Sequence, residues 1–400
     1  MTTEPGAVTR QPLWFMLLLA LAAAGGAVAY VPFLTVLLPV RIAELTGSDD
    51  VAALSYATFA GAIVASLANI GFGWLSDRSG NRPGWIAAGL VLSGALLLAV
   101  PLAESVGELI AVIMAWQLAL NMMLGPLSAW AGDCVPDEQK GLLGGLFAFA
   151  PAMGALSATL VTASGAIGGD TRLVLVVALT LTMVVPVLLF GRGRELPQLM
   201  ARASQPRADP RQAHQTSSIL ARMWTARLLV QIAEAGLFAF LLFWLRSLEP
   251  GYGENAAARI FSLMLIVAVP LALLTGRWSD RAQRPMLPLA VCAALSATGL
   301  TGMALAERLE PALAGYILFG VASVVFLSLH SSQTLRVLPR PATRGRDLGL
   351  FNLTNTIPSL IIPWLTLAMV PVFGFAGLFW VLAGLCSLAC LLIALLPRAR

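Results

Sequence analysis

GWLSDRSGNR, residues 73–82, joins two long apolar runs of this chain, and a shorter version, GRWSDRAQR at residues 276–284, joins two more. The aspartates of the two copies, Asp77 and Asp280, are 203 residues apart, about half the length of the 400-residue chain. A charged loop that occurs twice in an otherwise apolar sequence predicts a membrane protein built from two similar halves.

The composition requires lipid as the solvent. The chain is 58% hydrophobic and 11% charged, with a mean hydropathy of +0.84, whereas soluble domains carry about 25% charged residues. Only helices and closed barrels satisfy the backbone inside a bilayer. Barrel strands alternate apolar and polar residues over about 10 positions. The runs here are apolar throughout and about 20 residues long, which predicts helices and an all-α integral membrane fold.

The apolar runs predict twelve transmembrane helices in two pseudo-symmetric six-helix bundles. The N-terminal bundle covers residues 1–191 and the C-terminal bundle covers residues 223–400. A polar linker at 192–222, rich in Arg, Gln, Ser, Ala and Pro, is typical of a mobile connection. The predicted spans are 13–38, 51–75, 85–103, 107–130, 142–167, 172–191, 224–248, 257–277, 286–306, 311–331, 347–370 and 374–396.

The basic residues predict the orientation. If both termini are cytoplasmic, the inside segments hold 20 of the 25 lysines and arginines and the outside segments hold 5. This asymmetry follows the positive-inside rule and places the multi-pass chain in the cell (inner) membrane with both termini in the cytoplasm. The isoelectric point of 9.4 is therefore explained by topology and implies no nucleic-acid partner. The four cysteines show no metal-binding spacing, so neither a metal nor a cofactor is expected.

A second pair of segments repeats at nearly the same offset. Residues 135–141 precede helix 5 and residues 338–345 precede helix 11, with Pro136 and Pro339 separated by 203 residues. Gly141 and Gly345 are separated by 204 residues. Two loops that recur at one offset indicate a duplicated unit.

The first loop, Gly-x-x-x-Asp-Arg-x-Gly-x-Arg between helices 2 and 3, resembles the signature loop of the major facilitator superfamily. The degenerate copy between helices 8 and 9 fits the same family, and the resemblance extends over nearly the whole chain. It implies the major facilitator fold, with two bundles around a central cavity that work by alternating access. It also implies that helices 1, 4, 7 and 10 line the cavity.

The loop residues are candidates for conformational gating. Gly73 permits a close helix approach, Gly80 supplies a tight turn, and Asp77 can accept bonds from the N-terminal amides of a neighbouring helix. The alternative is a loop that only anchors the chain at the membrane surface. The second copy lacks the second glycine and is one residue shorter, which predicts a weaker lock. The gating candidates are Gly73, Asp77, Arg78, Gly80, Arg82, Asp280, Arg281 and Arg284.

Residues 125–133 resemble the helix-4 motif of the sucrose-type and glycoside symporter branch, Gly-Pro-x-Arg-Ala-x-x-x-Asp. This likeness implies sugar or glycoside transport. The arginine of the motif is replaced by Ser128, and its absence favours the alternative of drug-type or metabolite efflux.

Glu234 is the acid expected deepest in the membrane, about ten residues into predicted helix 7. Ionisable groups at this depth are costly and are functional candidates. Gln231 lies one turn before it, close to the same helix face. The pair is therefore predicted to bind the coupling proton or the solute, against the alternative of a neutral acid that only supports packing.

Further polar and aromatic candidates lie on predicted helices 1, 4 and 11 or at helix ends. Gln117 and Asn121 share a helix face and could bind a hydroxyl-bearing or zwitterionic solute, or join two helices. Asp133 and His330 are predicted at helix ends. The remaining cavity candidates are Tyr30, Trp116, Asn352 and Asn355.

These features predict a secondary active transporter, with proton-coupled symport of a small organic solute as the leading interpretation. The partners are the bilayer, the solute and protons, and no oligomer is implied. No GxxxxGK[ST] loop is present, which argues against ATP drive. A membrane enzyme is disfavoured because the chain has only two histidines, His214 and His330, to build a reaction centre. A non-transporting sensor is the remaining alternative.

Overall fold

The computed structural model describes residues 10–47, 51–162, 168–194, 196, 210–249, 254–337 and 344–396. In these ranges the regular structure is helical and no strand occurs. The helices are α1 (Leu13–Pro32), α2 (Leu38–Thr46), α3 (Val51–Ser79), α4 (Arg82–Ala99), α5 (Val106–Cys134), α6 (Asp137–Phe147), α7 (Phe149–Thr162), α8 (Gly169–Phe190), α9 (Pro210–Leu248), α10 (Glu254–Ala282), α11 (Leu287–Leu305), α12 (Leu309–Val337) and α13 (Arg344–Ala394).

The helices follow the predicted spans, with local differences in the first and fifth spans and at the start of the seventh. A π-helical turn, Phe33–Leu37, joins α1 to α2, so the first span continues to Thr46. The fifth span is divided into α6 and α7 at Ala148. The last two spans meet at Gly374, whose φ of 65° is not helical, so the segment labelled α13 consists of two helices joined at that residue, as the spans predict. A positive φ is readily adopted by glycine, which explains the bend at this position.

The described residues contain ten helical stretches long and apolar enough to cross a membrane. Two more long helical segments, α9 and the part of α13 before Gly374, coincide with the remaining predicted spans. Large apolar side chains are exposed along these helices, including Trp364 (76%) and Val372 (71%). A water-soluble monomer rarely exposes apolar surface on this scale. The chain is therefore a multi-pass integral membrane protein.

The chain forms two compact units that exchange short helical pieces. The first unit contains α1–α5, α7, α8 and the start of α13 up to Asn352; the second contains α6, α9–α12 and α13 from Leu353 onward. The boundaries after Ala148 and Asn352 are 204 residues apart, the offset that separates Gly141 from Gly345. Each half of the sequence therefore contributes one helix start to the unit formed mainly by the other half.

The two units share a set of equivalent helix pairs, since α3, α4 and α5 correspond in the repeat to α10, α11 and α12. In the first unit α5 packs on α3 and α4, and α1 packs on α7 and α8. In the second unit α12 packs on α11 and α10, and α6 packs on α10. The contacts described below lie within one or the other unit.

Helix α9 begins at Pro210, 14 residues before the predicted start of the seventh span. Proline suits a first helical turn because its missing N–H has no intrahelical partner there, and the following Arg, Gln and Ala residues favour a helix. The end of the predicted linker, 210–222, is therefore helical. Residues 197–209 of that linker lie outside the described residues.

Candidate gating loops and polar cluster

The Asp77 carboxylate caps the start of α13 within the first unit. The Gly345 N–H donates to Asp77 Oδ1 at 2.9 Å, and the Arg346 N–H donates to Asp77 Oδ2 at 3.0 Å. Amides in the first turn of a helix have no intrahelical acceptor, and the positive end of the helix dipole favours an anion there. The structure therefore identifies the helix amides from which Asp77 accepts hydrogen bonds, those of Gly345 and Arg346.

Arg82 connects this carboxylate to the end of α5. Its Nη2 lies 2.6 Å from Asp77 Oδ1 and its Nε lies 3.1 Å from Asp133 Oδ2, while Nη1 donates to the Ser76 hydroxyl. The side chains of Asp77 and Arg82 are only 2% and 9% exposed. Asp133, predicted as a helix-end residue, is thus part of the first loop's charge network.

The second loop makes the equivalent bonds within the second unit. The Gly141 and Leu142 amides of α6 donate to Asp280 Oδ1 and Oδ2 at 3.0 and 2.9 Å. The cation is supplied by Arg336 at the end of α12, which forms an ion pair with Asp280. The second loop therefore makes the same two amide bonds as the first.

Arg336 lies 203 residues after Asp133. The repeat thus places a carboxylate at the end of α5 and a guanidinium at the end of α12. In the first copy Arg82 bridges two acids, and in the second copy Arg336 replaces that bridge by pairing directly with Asp280. Sequence analysis missed Arg336, although the offset of 203 applied to Asp133 identifies it.

One pair of glycines at each loop lets the helices cross closely. A methyl group built on Gly73 would overlap the Gly345 carbonyl, and one built on Gly276 would overlap the Gly141 carbonyl. Each aspartate lies one turn after the glycine on its own helix, at residues 77 and 280. The backbone contact therefore brings the helix start within reach of the carboxylate.

The turns after the aspartates have the same backbone conformation in both copies. Gly80 has φ of 64°, and Gln283, which lies 203 residues later, has φ of 52°. The Gln283 side-chain amide donates to the Asp280 carbonyl at 2.7 Å. A glutamine therefore takes the left-handed conformation for which glycine is favoured, at a steric cost.

We expect Gln283→Gly to be more stable than Gln283→Ala by about 1 kcal/mol, because both variants lose the side-chain bond and only alanine retains the left-handed penalty. The apparent unfolding temperatures in detergent measure this difference. Gly80→Ala should destabilise the protein by a comparable free energy, and its unfolding temperature should be lower than that of wild type. Equal stability of the glycine and alanine variants at position 283 would contradict the assigned strain.

The other basic residues of the loops lie on the surface. The Arg78 guanidinium lies over the Trp74 ring, 5.7 Å from its centroid. Arg281 and Arg284 are exposed. Within the described residues, none of the three contacts Asp77 or Asp280.

Glu234 and Gln231 are adjacent in α9, as predicted. Gln231 Nε2 donates to Glu234 Oε2 at 3.4 Å, and both residues are half-buried. The other side-chain oxygen, Gln231 Oε1, is buried and receives no hydrogen bond from the described residues. The Gln231 amide therefore has a donor that is bonded to Glu234 and an acceptor oxygen that receives no bond from the described residues.

Arg227 extends this polar face by one more turn of α9. Its Nε donates to Thr354 Oγ1 at 3.0 Å, and its Nη1 donates to the Leu327 carbonyl at 3.1 Å and to Ser331 Oγ at 3.0 Å. The Nη2 contact with Asn355 Oδ1, at 3.4 Å, is the longest of the four. Arg227 was missed as a site residue because it lay close to the predicted start of its helix and was assigned to the cytoplasmic surface.

The amide candidates Gln117 and Asn121 of the first unit bond to each other and to Asn69. Asn69 Nδ2 donates to Asn121 Oδ1 at 3.0 Å, and Asn121 Nδ2 donates to the Gln117 carbonyl at 2.9 Å. All three side chains are buried. In this conformation they join α3 to α5.

The remaining candidates are dispersed. The Trp116 ring is 1% exposed and packs edge-on against Phe33 with a centroid distance of 4.8 Å, so it is inaccessible to a solute in this conformation. His330 is buried, and its Nε2 lies 2.9 Å from the Met223 carbonyl. Tyr30 and Asn352 are half-buried, in the first unit, whereas Asn355 is exposed, in the second.

Long apolar helices and a twofold repeat of charged loops are typical of secondary transporters. The family model of the Major Facilitator Superfamily matches residues 13–340 and 223–400. The chain belongs to the major facilitator superfamily. Its members are transporters and not enzymes.

Solved structures share this fold at low sequence identity. The human organic anion transporter MFSD10 (TETRAN) is 13% identical, with a TM-score of 0.74 over 96% of this chain and 99% of that chain. The E. coli fucose:proton symporter is 16% identical, with a TM-score of 0.72 over 97% and 99%. A bacterial homologue of the iron transporter ferroportin is 15% identical, with a TM-score of 0.73 over 95% and 98%. A comparison with curated protein sequences gives no match.

Proposed function

We propose that this protein is a proton-coupled secondary transporter that moves a small organic solute by alternating access, and that Glu234 carries the proton. The observation behind this proposal is the pairing of an acid inside α9 with an amide that can serve both protonation states. The similarity of the fold to a fucose:proton symporter is compatible with such coupling.

The Gln231 amide suits an acid that changes its protonation state. When Glu234 is ionised, it accepts a hydrogen bond from Gln231 Nε2. When Glu234 is protonated, its hydroxyl can donate to Gln231 Oε1, which has no donor from the described residues. A hydrogen bond is therefore available in both states, which lowers the cost of loading and releasing a proton within the membrane.

The paired loops supply a conformational lock for the transport cycle. Asp77 and Asp280 each accept charge-assisted hydrogen bonds from two backbone amides, and both carboxylates are mostly buried. We propose that these bonds break when the helix starts of α6 and α13 move away from the loops. The moving bodies are the predicted halves 1–191 and 223–400, and both termini are assigned to the cytoplasmic side of the cell membrane.

Efflux of a drug or metabolite is the second candidate. The observation that favours it is Ser128, which is exposed and occupies the arginine position of the glycoside symporter motif. In this case the proton would move against the solute rather than with it. The residues assigned to coupling and gating are the same for both directions.

The test is flux in proteoliposomes that contain a trapped pH dye. Radiolabelled sugars, amino acids, organic acids, nucleosides and lipophilic cations are presented under pH gradients of either sign. We expect one solute class to move uphill under one gradient and to be accompanied by proton flux. Accumulation driven by the opposite gradient would assign efflux, and solute flux without proton flux would contradict the coupling.

A further inference from the structure

Arg227 is held in a fixed orientation by neutral oxygen atoms of two neighbouring helices. Three of its donors, Nε–H and both Nη1–H groups, bond to the Thr354 hydroxyl, the Leu327 carbonyl and the Ser331 hydroxyl. Nη2 is therefore the guanidinium nitrogen that can still donate a hydrogen bond to a ligand. Its contact is Asn355, an exposed residue, at 3.4 Å.

The charge of Arg227 has no direct counter-charge among the described residues. Its four hydrogen bonds end on uncharged oxygens, and no carboxylate lies within ion-pair distance. The acid that interacts with it electrostatically is Glu234. The two residues are seven positions apart, or about 10 Å along the helix. A cation at membrane depth is costly unless a counter-charge is nearby.

The separation of Arg227 and Glu234 has a consequence for the class of solute. In the empty site, ionised Glu234 balances Arg227 across about two helical turns. Once Glu234 is protonated, the cluster keeps the positive charge of Arg227 alone. A neutral solute such as a sugar leaves that charge unbalanced, whereas an anionic group placed at Nη2 restores neutrality.

We propose that the site binds small organic anions, with a carboxylate seated at Arg227 Nη2 beside Asn355, and that each anion binds together with one proton on Glu234. This rests on the proposed proton-coupled transport. The charges balance in both end states, because the empty site contains Glu234 ionised and Arg227, and the loaded site contains Glu234 protonated, Arg227 and the anion. The transported pair of one anion and one proton is neutral.

Other titratable groups face the cluster from α12. His330 is buried near Arg227, with Nε2 bonded to the Met223 carbonyl and Nδ1 3.2 Å from the Thr334 hydroxyl. Both of its ring nitrogens are thus engaged. Tyr316 is buried and interacts electrostatically with Glu234. From α13 the facing groups are Thr354 and Asn355, which are uncharged.

The experiment measures ligand-induced shifts of the unfolding temperature of the purified full chain. The probes are two- to six-carbon monocarboxylates, each paired with its uncharged amide, at pH 5.5 and pH 7.5, together with fucose as a neutral sugar. We expect at least one carboxylate to stabilise the protein, more strongly at pH 5.5, and its amide to have no effect. Stabilisation by fucose or an amide, with none by any carboxylate, would overturn the proposal.

Substitutions locate the anion. Arg227→Gln should raise the dissociation constant of the stabilising carboxylate by at least about 30-fold, as expected for removal of one member of a buried charge pair. Arg227→Lys keeps the charge and loses the fixed Nη2 edge, so it should bind more weakly than wild type and better than the glutamine variant. Arg308→Gln, in the exposed loop before α12, should bind with wild-type affinity and pH dependence. Wild-type affinity in both position-227 variants would overturn the assignment.

Transport separates this inference from the proposed function. Proton-coupled uptake of a neutral solute, unchanged in Arg227→Lys, would support the transporter and overturn the anion site. Carboxylate binding that requires Arg227, without any proton flux during uptake, would support the anion site and contradict proton coupling. Uptake of the carboxylate should create no membrane potential, because the anion and the proton move together.

Discussion

Glu234→Gln is expected to abolish uphill, pH-driven accumulation of the solute, while exchange of solute across the membrane continues. Glutamine keeps the size of the side chain and can bond to Gln231, but it cannot take up or release a proton. Without proton transfer the pH gradient cannot drive accumulation. Solute exchange needs only the loaded states and should remain within a fewfold of wild type. The measurement compares counterflow with pH-driven uptake in the same vesicles.

Two control variants make this result specific. Glu249→Gln removes an exposed acid at the end of α9 and should leave both activities unchanged. Gln231→Leu removes the partner amide and should reduce pH-driven uptake without abolishing it, since the acid remains. Retained pH-driven accumulation in Glu234→Gln would end the assignment of Glu234 as proton carrier. Loss of both activities in a folded variant would instead place the solute directly on Glu234.

Asp77→Asn should have the second largest effect, a shift between transport conformations. The asparagine keeps one acceptor oxygen and loses the charge, so one of the two amide bonds from Gly345 and Arg346 is lost and the other is weakened. A charge-assisted bond contributes about 1.5–3 kcal/mol. Loss of these hydrogen bonds should lower the population of the locked state by about tenfold or more. Labelling rates of single cysteines at the two predicted membrane faces, in a background without the native cysteines, measure the shift.

The matched control is Asp170→Asn, an exposed acid at the start of α8 that lies outside both loops. It should label at wild-type rates. Asp280→Asn should shift the labelling at least as strongly as Asp77→Asn, because it also leaves the mostly buried Arg336 without its carboxylate. Unchanged labelling and transport in both loop variants would reduce the loops to surface anchors.

The helices and loops could be predicted because their signals are local in sequence. Apolar length identifies a span, and the duplicated motif around Asp77 and Asp280 identifies the repeat. The adjacency of Gln231 and Glu234 also follows from helix spacing alone. These predictions required no knowledge of which helices pack together.

The parts that could not be predicted depend on tertiary contacts. Arg227 resembled one more basic residue at a cytoplasmic helix end, and its hydrogen bonds depend on helices far away in sequence, since it contacts Ser331 and Thr354. Gln283 gave no sign in the sequence that it would adopt a glycine-like turn. Trp116 was placed on a cavity helix, but packing against Phe33 directs its ring into the core.

The exchange of helix starts between the two units limits how the chain can be divided. Asp77 is completed by amides at residues 345–346, and Asp280 is completed by amides at residues 141–142, so neither half of the sequence contains both partners of its own loop. A six-helix half expressed alone would leave a mostly buried carboxylate without its helix and a helix start without its carboxylate. A single ancestral half could have satisfied these groups only by pairing with a second copy of itself, and fusion of two copies turns that intermolecular requirement into a property of one chain.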